Sequence, residues 1–364
     1  MQLEGSDSRF AGGMKRTMLP STMKAAVLHA AHDLRVEEVP VPGVGPEDAL
    51  VRVRACGICA SDVHYYVHGR IGRYVVESPM IVGHEVAGDV VAVGSAVQGL
   101  AVGTRVAVEP GVTCGRCARC KSGRYNLCPD VVFYATPPVD GAMSEYAVIR
   151  ADFAHPLPDD VSYERGALCE PISVGIHCCD LTGVRPGDTV VVLGAGPIGL
   201  TAVVAARQRG AGQVIVSDVL PRRLDVARTL GAIAVDVGNE SIEDVVMERT
   251  DGRGADELFD TSGVRAVLEA APDLLRKGGA IAVVGLPADD SVTYHMFNVV
   301  DKELSIHGVF RYANTYPAAV ALVCSDRYPI DEVVTDRLPL DDAVAGFERA
   351  LNEKDRSIKV MIET

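Results

Sequence analysis

Near the middle of the chain, a pattern typical of a buried strand leads directly into a glycine-rich turn, over Val190-Val191-Val192-Leu193-Gly194-Ala195-Gly196-Pro197-Ile198-Gly199. Successive β-branched and aliphatic residues suit a parallel strand that is covered on both faces. In the G-x-G-x-x-G spacing, Gly194 permits a tight turn, Gly196 lets the backbone approach a pyrophosphate, and Gly199 lets helix and strand pack closely. The helix that follows would point its unpaired N–H groups at that phosphate. The stretch therefore predicts a dinucleotide-binding unit.

The next strand pattern supports this prediction. Gln213 to Asp218 is typical of a second buried strand, and it ends in an acid at the distance from the turn, about twenty residues, where a carboxylate accepts hydrogen bonds from the adenosine ribose. Because this carboxylate would repel a 2′-phosphate, Asp218 favours NAD over NADP. Arg222 and Arg223 leave NADP open, since an arginine here can reach a phosphate or stack on adenine. A tight turn that binds no ligand is the alternative.

Composition limits the possible partners. The chain has 364 residues, enough for two hydrophobic cores, and its 48% hydrophobic and 23% charged residues are typical of a globular protein. A formal net charge of -14 argues against nucleic acid or an anionic membrane as partner, since both attract a basic surface. Ten cysteines without a secretory signal indicate metal ligands or free core thiols in a cytoplasmic protein, rather than a disulfide framework.

Secondary-structure patterns divide the chain into two domains. Short, proline-punctuated strand patterns predict an antiparallel β-barrel in the first part, and from residue 174 strands alternate with helices, as in a doubly wound α/β domain. We expect residues 23–173 and 309–364 to form the first domain, with a metal-binding lobe at about 110–130, and residues 174–308 to form the second. Residues 1–22 are expected to be a disordered extension. One helix of the second domain is predicted over 264–275.

Four cysteines form the first candidate metal site. Cys114, Cys117, Cys120 and Cys128 place four thiols in a short stretch, and four soft ligands suit one tetrahedral zinc. Such a site has no open position for water or substrate. Its role would be structural, because it would hold together a lobe that lacks a core of its own. Four unrelated cysteines at this spacing are the alternative.

The second candidate metal site is dispersed. Cys59 lies in one loop-like stretch, and His84 with Glu85 lies in another. A thiolate, an imidazole and a carboxylate would give zinc three ligands and leave the fourth position open for a water or a substrate. Spacing alone leaves another interpretation open, in which His84 and Glu85 are a surface pair or a satisfied pair in the core.

Several motifs occur together in this chain: Cys59-x-Ser61-Asp62-x-His64, Gly83-His84-Glu85-x2-Gly88, the four cysteines, Cys169-Glu170-Pro171 and the glycine turn. Together they resemble the zinc-dependent medium-chain dehydrogenases. Other stretches are similar to the polyol branch, the sorbitol and xylitol dehydrogenases, and these are His64-Tyr65-Tyr66, Tyr134-Ala135-Thr136-Pro137-Pro138 and Gly308-Val309-Phe310-Arg311-Tyr312. The resemblance implies a two-domain α/β fold, with an N-terminal GroES-like β-barrel catalytic domain and a Rossmann NAD-binding domain.

The resemblance also implies roles for individual residues. Cys59, His84 and Glu85 would bind a catalytic zinc, with Glu170 binding directly or through a water, and the four cysteines would bind a structural zinc. Ser61, His64 and Glu170 would carry away the proton of the alcohol. The residues expected to contact the substrate are Tyr65, Glu170, Arg311 and Tyr312. The residues expected to contact NAD are Gly194, Gly196, Pro197, Ile198, Gly199, Asp218, Arg223, Val284, Gly285, Leu286, Val309, Phe310 and Arg311.

The activity implied by the resemblance is oxidation of a secondary alcohol of a sugar alcohol to the ketose, by hydride transfer from a zinc-bound alkoxide to NAD. Zinc would make the alkoxide available by lowering its pKa, as it lowers that of bound water from about 15.7 to about 7. An L-threonine 3-dehydrogenase or a butanediol dehydrogenase of the same family is the nearer alternative. A non-catalytic NAD-binding protein is the other, and it would show broken zinc ligands. The resemblance further implies a homotetramer, with a dimer as the alternative.

Overall fold

The computed structural model describes residues 19–287 and 291–364. The strands are β1 (Thr22–Ala30), β2 (Asp33–Pro40), β3 (Asp48–Gly57), β4 (Arg70–Ile71), β5 (Tyr74–Val75), β6 (Met80–Ile81), β7 (Glu85–Val93), β8 (Arg105–Val108), β9 (Gly111–Val112), β10 (Val132–Phe133), β11 (Tyr146–Arg150), β12 (Ala154–Pro156), β13 (Thr189–Leu193), β14 (Gln213–Asp218), β15 (Ile233–Asp236), β16 (Ala255–Asp260), β17 (Leu275–Val283), β18 (Ser305–Gly308), β19 (Val334–Pro339) and β20 (Lys359–Glu363). Most of the predicted extension, residues 1–22, lies outside the described residues.

Helices connect these strands. They are α1 (Ala60–His68), α2 (Ala118–Lys121), α3 (Tyr163–Ala167), α4 (Cys169–Thr182), α5 (Pro197–Arg209), α6 (Pro221–Thr229), α7 (Ile242–Arg249), α8 (Arg265–Ala270), α9 (Met296–Asp301), α10 (Tyr316–Val323) and α11 (Ala343–Asn352). None of the helices within residues 19–287 and 291–364 has both the length and the apolar character of a membrane span.

The first part of the chain forms a mainly antiparallel sheet system. Seven strands join in the order β12-β8-β7-β3-β20-β19, with β11 also paired to β3, and a smaller sheet has the order β2-β1-β6. Strand β20, from the end of the chain, pairs antiparallel with β3, and β19 pairs parallel with β20. The C-terminal segment thus returns to the first sheet system. Side chains such as Val53, Val86 and Phe347 fill its core.

The second sheet is parallel throughout and has the order β15-β14-β13-β16-β17-β18. The strand order reverses between β13 and β16, and ligands of such sheets bind in the crevice outside the carboxyl ends of the strands at this reversal. The glycine turn begins directly after β13. The predicted two-domain α/β fold is confirmed, and it places the turn at the ligand-binding crevice.

Helix α4 belongs to the cores of both sheet systems. Its Ile172 lies in one hydrophobic cluster with Ala87 of β7 and with Val192 of β13. The helix therefore fixes the two sheets relative to each other, and it carries Glu170 into the space between them. Because the predicted boundary between residues 173 and 174 falls inside this helix, the domain limits stay a prediction.

The helix predicted over 264–275 is shorter in the structure. Helix α8 ends at Ala270, a 3-10 turn covers Ala271–Leu274, and Leu275 already begins β17. Pro272 explains the difference, because a proline lacks the N–H group that a helix interior needs and its ring clashes with the preceding turn.

Candidate active site

Three predicted metal ligands meet from two separate loops. Cys59 is the N-cap residue of α1, and His84 directly precedes Glu85 at the start of β7. One ligand atom from each of these side chains lies within 4.8 Å of the others. A tetrahedral zinc with bonds of about 2.0–2.3 Å needs ligand atoms about 3.3–3.8 Å apart, so small side-chain rotations would complete the set. The sulfur, nitrogen and oxygen donors fit a zinc ion.

A buried carboxylate connects the two loops, and the sequence analysis assigned it no role. Asp62 accepts a hydrogen bond from the Cys59 N–H at 3.0 Å through Oδ2 and one from the Gly83 N–H at 3.1 Å through Oδ1. Its Oδ1 also lies 3.5 Å from His84 Nδ1. Burial disfavours the imidazolium, yet Asp62 and Cys59 raise the pKa of His84 well above its ordinary value. Asp62 thus places a buried carboxylate beside the three candidate ligands. The local signal for Asp62 is its position three residues after an N-cap.

Lys359 of β20 is a second residue that the sequence analysis missed. Its ammonium group donates to Glu85 Oε1 at 2.7 Å, to Glu85 Oε2 at 2.8 Å and to the Ile58 carbonyl at 3.0 Å. Lys359 is only 2% exposed and Glu85 is fully buried. Burial alone would lower the pKa of Lys359, but Glu85 and Cys59 raise it, so the ammonium stays charged. No local pattern reveals this pair, because 274 positions separate its members.

Glu170 lies in the first turn of α4, beside the metal ligands. Its side chain is buried, and the Tyr312 hydroxyl donates to its Oε1 at 3.0 Å. Burial is the main cause that raises the pKa of Glu170 to about 7, while His84 opposes this shift and Glu85 adds to it. A carboxyl group with this pKa can take up and release a proton near neutral pH. Within the described residues, the set of ligand atoms around Cys59 does not include Glu170, which favours contact with a zinc through a water.

A cavity of about 220 Å³ brings together residues that were predicted to bind the metal, the substrate and the cofactor. Its lining includes Cys59, Ser61, Tyr65, His84, Glu170, Ile198, Phe310 and Arg311. Tyr312 lies outside this lining, because it is buried behind Glu170. His64 is exposed on α1, outside this lining, whereas Ser61 belongs to it.

Arg311 forms one wall of the cavity. Its guanidinium carbon lies 3.9 Å from the Phe133 ring centroid and 4.7 Å from that of Phe310, and its Nη2 donates to Thr136 Oγ1 at 3.1 Å. Burial lowers the pKa of Arg311, although nearby tyrosines oppose this shift. Its Nη1 has no hydrogen-bond partner within the described residues. This nitrogen can donate to a bound ligand. On the same cavity, burial raises the pKa of Tyr65 to about 12, so its hydroxyl stays protonated.

The glycine turn has the geometry of a close backbone approach. Gly194 has a φ of +96°, which disfavours any side chain, and a Cβ on Gly199 would lie 1.9 Å from the Gly194 carbonyl oxygen. The Asp218 carboxylate accepts hydrogen bonds from the Ala195 N–H at 2.8 Å and from the N–H groups of the two residues that follow it. Arg223 Nη1 lies 3.8 Å from the same carboxylate. Asp218 therefore also holds the turn in place, a contact that the sequence did not reveal.

Exposed apolar side chains surround this turn at the carboxyl ends of the strands. Leu286 and Phe310, both predicted to contact NAD, are exposed after β17 and β18, and Val219 and Val264, which were not predicted, are exposed after β14 and β16. The Val284 and Gly285 N–H groups both donate to the Asp260 carbonyl, which fixes the remaining predicted loop. Apolar residues in solvent-exposed loops suit the flat rings of a dinucleotide. Both valines could have been found from the sequence as candidate NAD contacts, because each is an apolar residue just beyond the end of a predicted strand.

The four cysteines of the first candidate metal site come together around one point. Cys114 Sγ lies 3.5 Å from Cys128 Sγ and 3.9 Å from Cys120 Sγ, and Cys117 Sγ lies 3.5 Å from Cys120 Sγ. A tetrahedral zinc with Zn–S bonds of about 2.3 Å separates its sulfurs by about 3.8 Å. The backbone N–H groups of Arg116 and Cys117 lower the pKa of Cys114 to about 7, which favours the thiolate that binds metal. The set fits a closed, structural zinc.

Comparison with known proteins identifies the family. Residues 45–159 match the family model of the alcohol dehydrogenase GroES-like domain, and residues 197–325 match that of the zinc-binding dehydrogenase. The chain belongs to the zinc-dependent medium-chain dehydrogenases. The two matches lie on the two sheet systems described above, and relatives named sorbitol dehydrogenase place this dehydrogenase in the polyol branch.

Individual relatives agree over nearly the whole chain. The dehydrogenase is 47% identical over 345 residues to sorbitol dehydrogenase of Bacillus subtilis (strain 168), an alignment that covers 94% of this chain and 98% of the relative. An oxidoreductase of unknown specificity from Escherichia coli has a similar structure, with a TM-score of 0.90 and 36% identity. The match covers 94% of this chain and 99% of that protein. The 2R,3R-butanediol dehydrogenase of Bacillus subtilis matches with a TM-score of 0.85 and 32% identity, over 94% of this chain and 99% of that protein.

Proposed function

We propose that this dehydrogenase oxidises a secondary alcohol of a sugar alcohol to the ketose, with zinc as the metal and NAD as the hydride acceptor. The observation that carries the proposal is the cavity of about 220 Å³. Its wall contains the metal-ligand side chains Cys59 and His84, the acid–base candidate Glu170, and Ile198 of the glycine turn. The similarity to sorbitol dehydrogenases supports a polyol as the substrate.

The residues around the cavity have different roles in the reaction. Cys59, His84 and Glu85 would hold the zinc, which when bound supplies a Lewis acid that polarises the hydroxyl of the substrate. Glu170 accepts the hydroxyl proton, because its pKa of about 7 allows it to take up a proton at neutral pH. The rival path leads from Ser61 inside the cavity to His64 at the surface.

Substrate choice depends on the polar part of the cavity wall. Arg311 offers a buried guanidinium nitrogen without a protein partner, and Tyr65 offers a protonated hydroxyl. Tyr312 acts through Glu170, since its hydroxyl donates to that carboxyl group. Donors on several sides favour a substrate with many hydroxyl groups over ethanol.

Asp218 sets the preference for NAD. Its carboxylate lies at the end of β14 beside the glycine turn, where it would pair with the ribose hydroxyls and repel a 2′-phosphate. Arg223, close to Asp218, and Arg222 limit how strict this preference is. The four-cysteine lobe would hold the second zinc of each chain.

The decisive test is NADH formation by purified protein with a panel of sorbitol, xylitol, 2,3-butanediol and L-threonine, before and after treatment with a chelator. We expect fastest turnover of a polyol, loss of turnover on chelation, and two zincs per chain. Faster turnover of butanediol or threonine would favour the nearer alternatives. A zinc-loaded protein that turns over none of the four would favour a non-catalytic NAD-binding protein, against which the intact ligand set already argues.

The proposal extends to assembly and location. Exposed apolar residues on α9 and β18, namely Met296, Phe297, Val300 and Ile306, support self-association into a homotetramer or a dimer. In the described residues, β18 pairs on one side only, with β17. All ten cysteines are described and free, which supports a cytoplasmic location, where thiols stay reduced. Light scattering of the wild type and of Phe297→Asp tests the assembly, since a monomeric wild type would contradict it.

A further inference from the structure

The segment 310–314 carries the substrate residues Arg311 and Tyr312, yet its backbone is held in an unfavourable conformation. Arg311 has a φ of 57°, in the left-handed region that residues other than glycine rarely adopt, and Asn314, a residue type that adopts this region more readily, has a φ of 60°. The segment contains no helix or strand. Contacts from elsewhere must therefore hold it in place.

The four-cysteine lobe supplies these contacts. Asn126 Nδ2 donates to the Phe310 carbonyl at 2.9 Å, and Asn314 Nδ2 donates to the Gly123 carbonyl at 2.7 Å. The Asn314 N–H donates to the Tyr125 hydroxyl at 2.8 Å, and this hydroxyl in turn donates to the buried Glu109 carboxylate at 2.7 Å. The two asparagines thus hold the segment at both ends.

All three lobe residues in these contacts lie between Cys120 and Cys128, which are two of the four thiol ligands. Residues 113–131 contribute no side chain to any of the three hydrophobic clusters of the described chain. A segment without a core of its own depends on its metal for its conformation. The positions of Gly123 and Asn126 consequently depend on the metal of the lobe, whereas Tyr125 is also held by Glu109 and by the Phe153 ring, whose centroid lies 6.5 Å from its own.

We propose that the four-cysteine lobe is a clamp that holds residues 310–314 in the substrate-binding conformation, with Asn126 and Asn314 as positioning residues. The inference rests on the proposed function in one respect, that Arg311 and Tyr312 serve the substrate. It assigns the lobe a part in substrate affinity besides its part in stability. Loss of the lobe metal would then release the segment while the catalytic ligands Cys59, His84 and Glu85 stay in place.

The test uses Asn126→Asp and Asn314→Asp, which keep side-chain shape, replace the N–H donor by an acceptor oxygen and add one negative charge, a charge that the control variant also adds. The matched control is Asn352→Asp, whose amide donates to Glu348 at 2.8 Å on α11, away from the segment. We expect hydrogen–deuterium exchange of the full-length protein to show faster uptake in a peptide covering 308–316 for the two variants and not for the control. We also expect KM for the alcohol to rise about tenfold, the effect of losing one hydrogen bond, with two zincs per chain.

Unchanged uptake over 308–316 in both variants would overturn the clamp, and so would an unchanged KM for the alcohol. Cys120→Ser tests whether the lobe metal holds the segment. With one zinc per chain the same peptide should exchange faster, and unchanged exchange would show that the segment does not depend on the metal. Because exchange needs no turnover, a failure of the polyol assay leaves this test intact and the two failures can be told apart.

Discussion

Replacing Lys359 with methionine tests the role of its buried ion pair with Glu85. We expect Lys359 to neutralise the charge of the Glu85 carboxylate when no zinc is bound there. Methionine keeps most of the apolar length of lysine and removes the charge. In the metal-free protein the variant leaves the Glu85 carboxylate fully buried without a cation. With zinc bound, the carboxylate retains a cationic partner.

The two states should therefore lose different amounts of stability. Removing one partner of a buried ion pair costs about 3–5 kcal/mol, which we expect for the metal-free protein. In the zinc-loaded protein the remaining loss is the hydrogen bond to the Ile58 carbonyl, about 1 kcal/mol. The difference of about 2–4 kcal/mol must appear as tighter zinc binding, by a factor of about 30 to 1,000.

The assay combines two measurements. Thermal unfolding is followed at one and at two zincs per chain, and zinc affinity is measured by competition with a chromophoric chelator. The matched control is Lys302→Met, since the Lys302 ammonium donates, among the described residues, to the backbone carbonyls of Pro272, Asp273 and Leu275 and lies in the second sheet system. The control should lose equal stability with and without the zinc at Cys59, His84 and Glu85.

Two results would refute the reasoning. An equal loss of stability for Lys359→Met in both metal states would show that Glu85 does not meet the zinc. Weaker zinc binding in this variant would show that Lys359 supports the metal site instead of competing with the metal for the carboxylate.

Three further predictions follow from the site and from the second sheet. Glu170→Gln should lower kcat by about 10²–10⁴ with both zincs and NAD affinity retained, and a wild-type kcat would exclude Glu170 as the base. Gly199→Ala should weaken NAD binding in titration calorimetry, because its Cβ would lie 1.9 Å from the Gly194 carbonyl oxygen; unchanged affinity would contradict the close approach. Burial, together with Asp188 and Asp256, raises the pKa of Glu257 from 4.5 to about 8. The folded protein therefore loses stability as pH rises from about 4.5 through about 8, because Glu257 must then carry its charge in a buried position. Glu257→Gln should thus unfold at a higher temperature than wild type at pH 9 and show little difference at pH 5.

Much of the fold followed from local patterns. The glycine turn and the parallel strands around it were predicted, because hydrophobic periodicity and glycine spacing are local properties. Pro272 shows the limit of periodicity, since it ended a helix whose apolar pattern continued. The site residues stay a prediction, although the structure places Cys59, His84 and Glu85 within reach of one ion.

The sequence by itself determined the chemical inventory: which thiols, imidazoles and carboxylates are present, and which glycines permit a close backbone approach. Only the tertiary structure decided which of these groups share an environment. Asp62 joining two loops, Lys359 against Glu85, Asp218 on the glycine turn and Asn314 on the four-cysteine lobe are all contacts of this kind. Their physical reason is common to them: burial makes a charge or a hydrogen-bonding group seek a partner, and packing supplies that partner from any position in the chain.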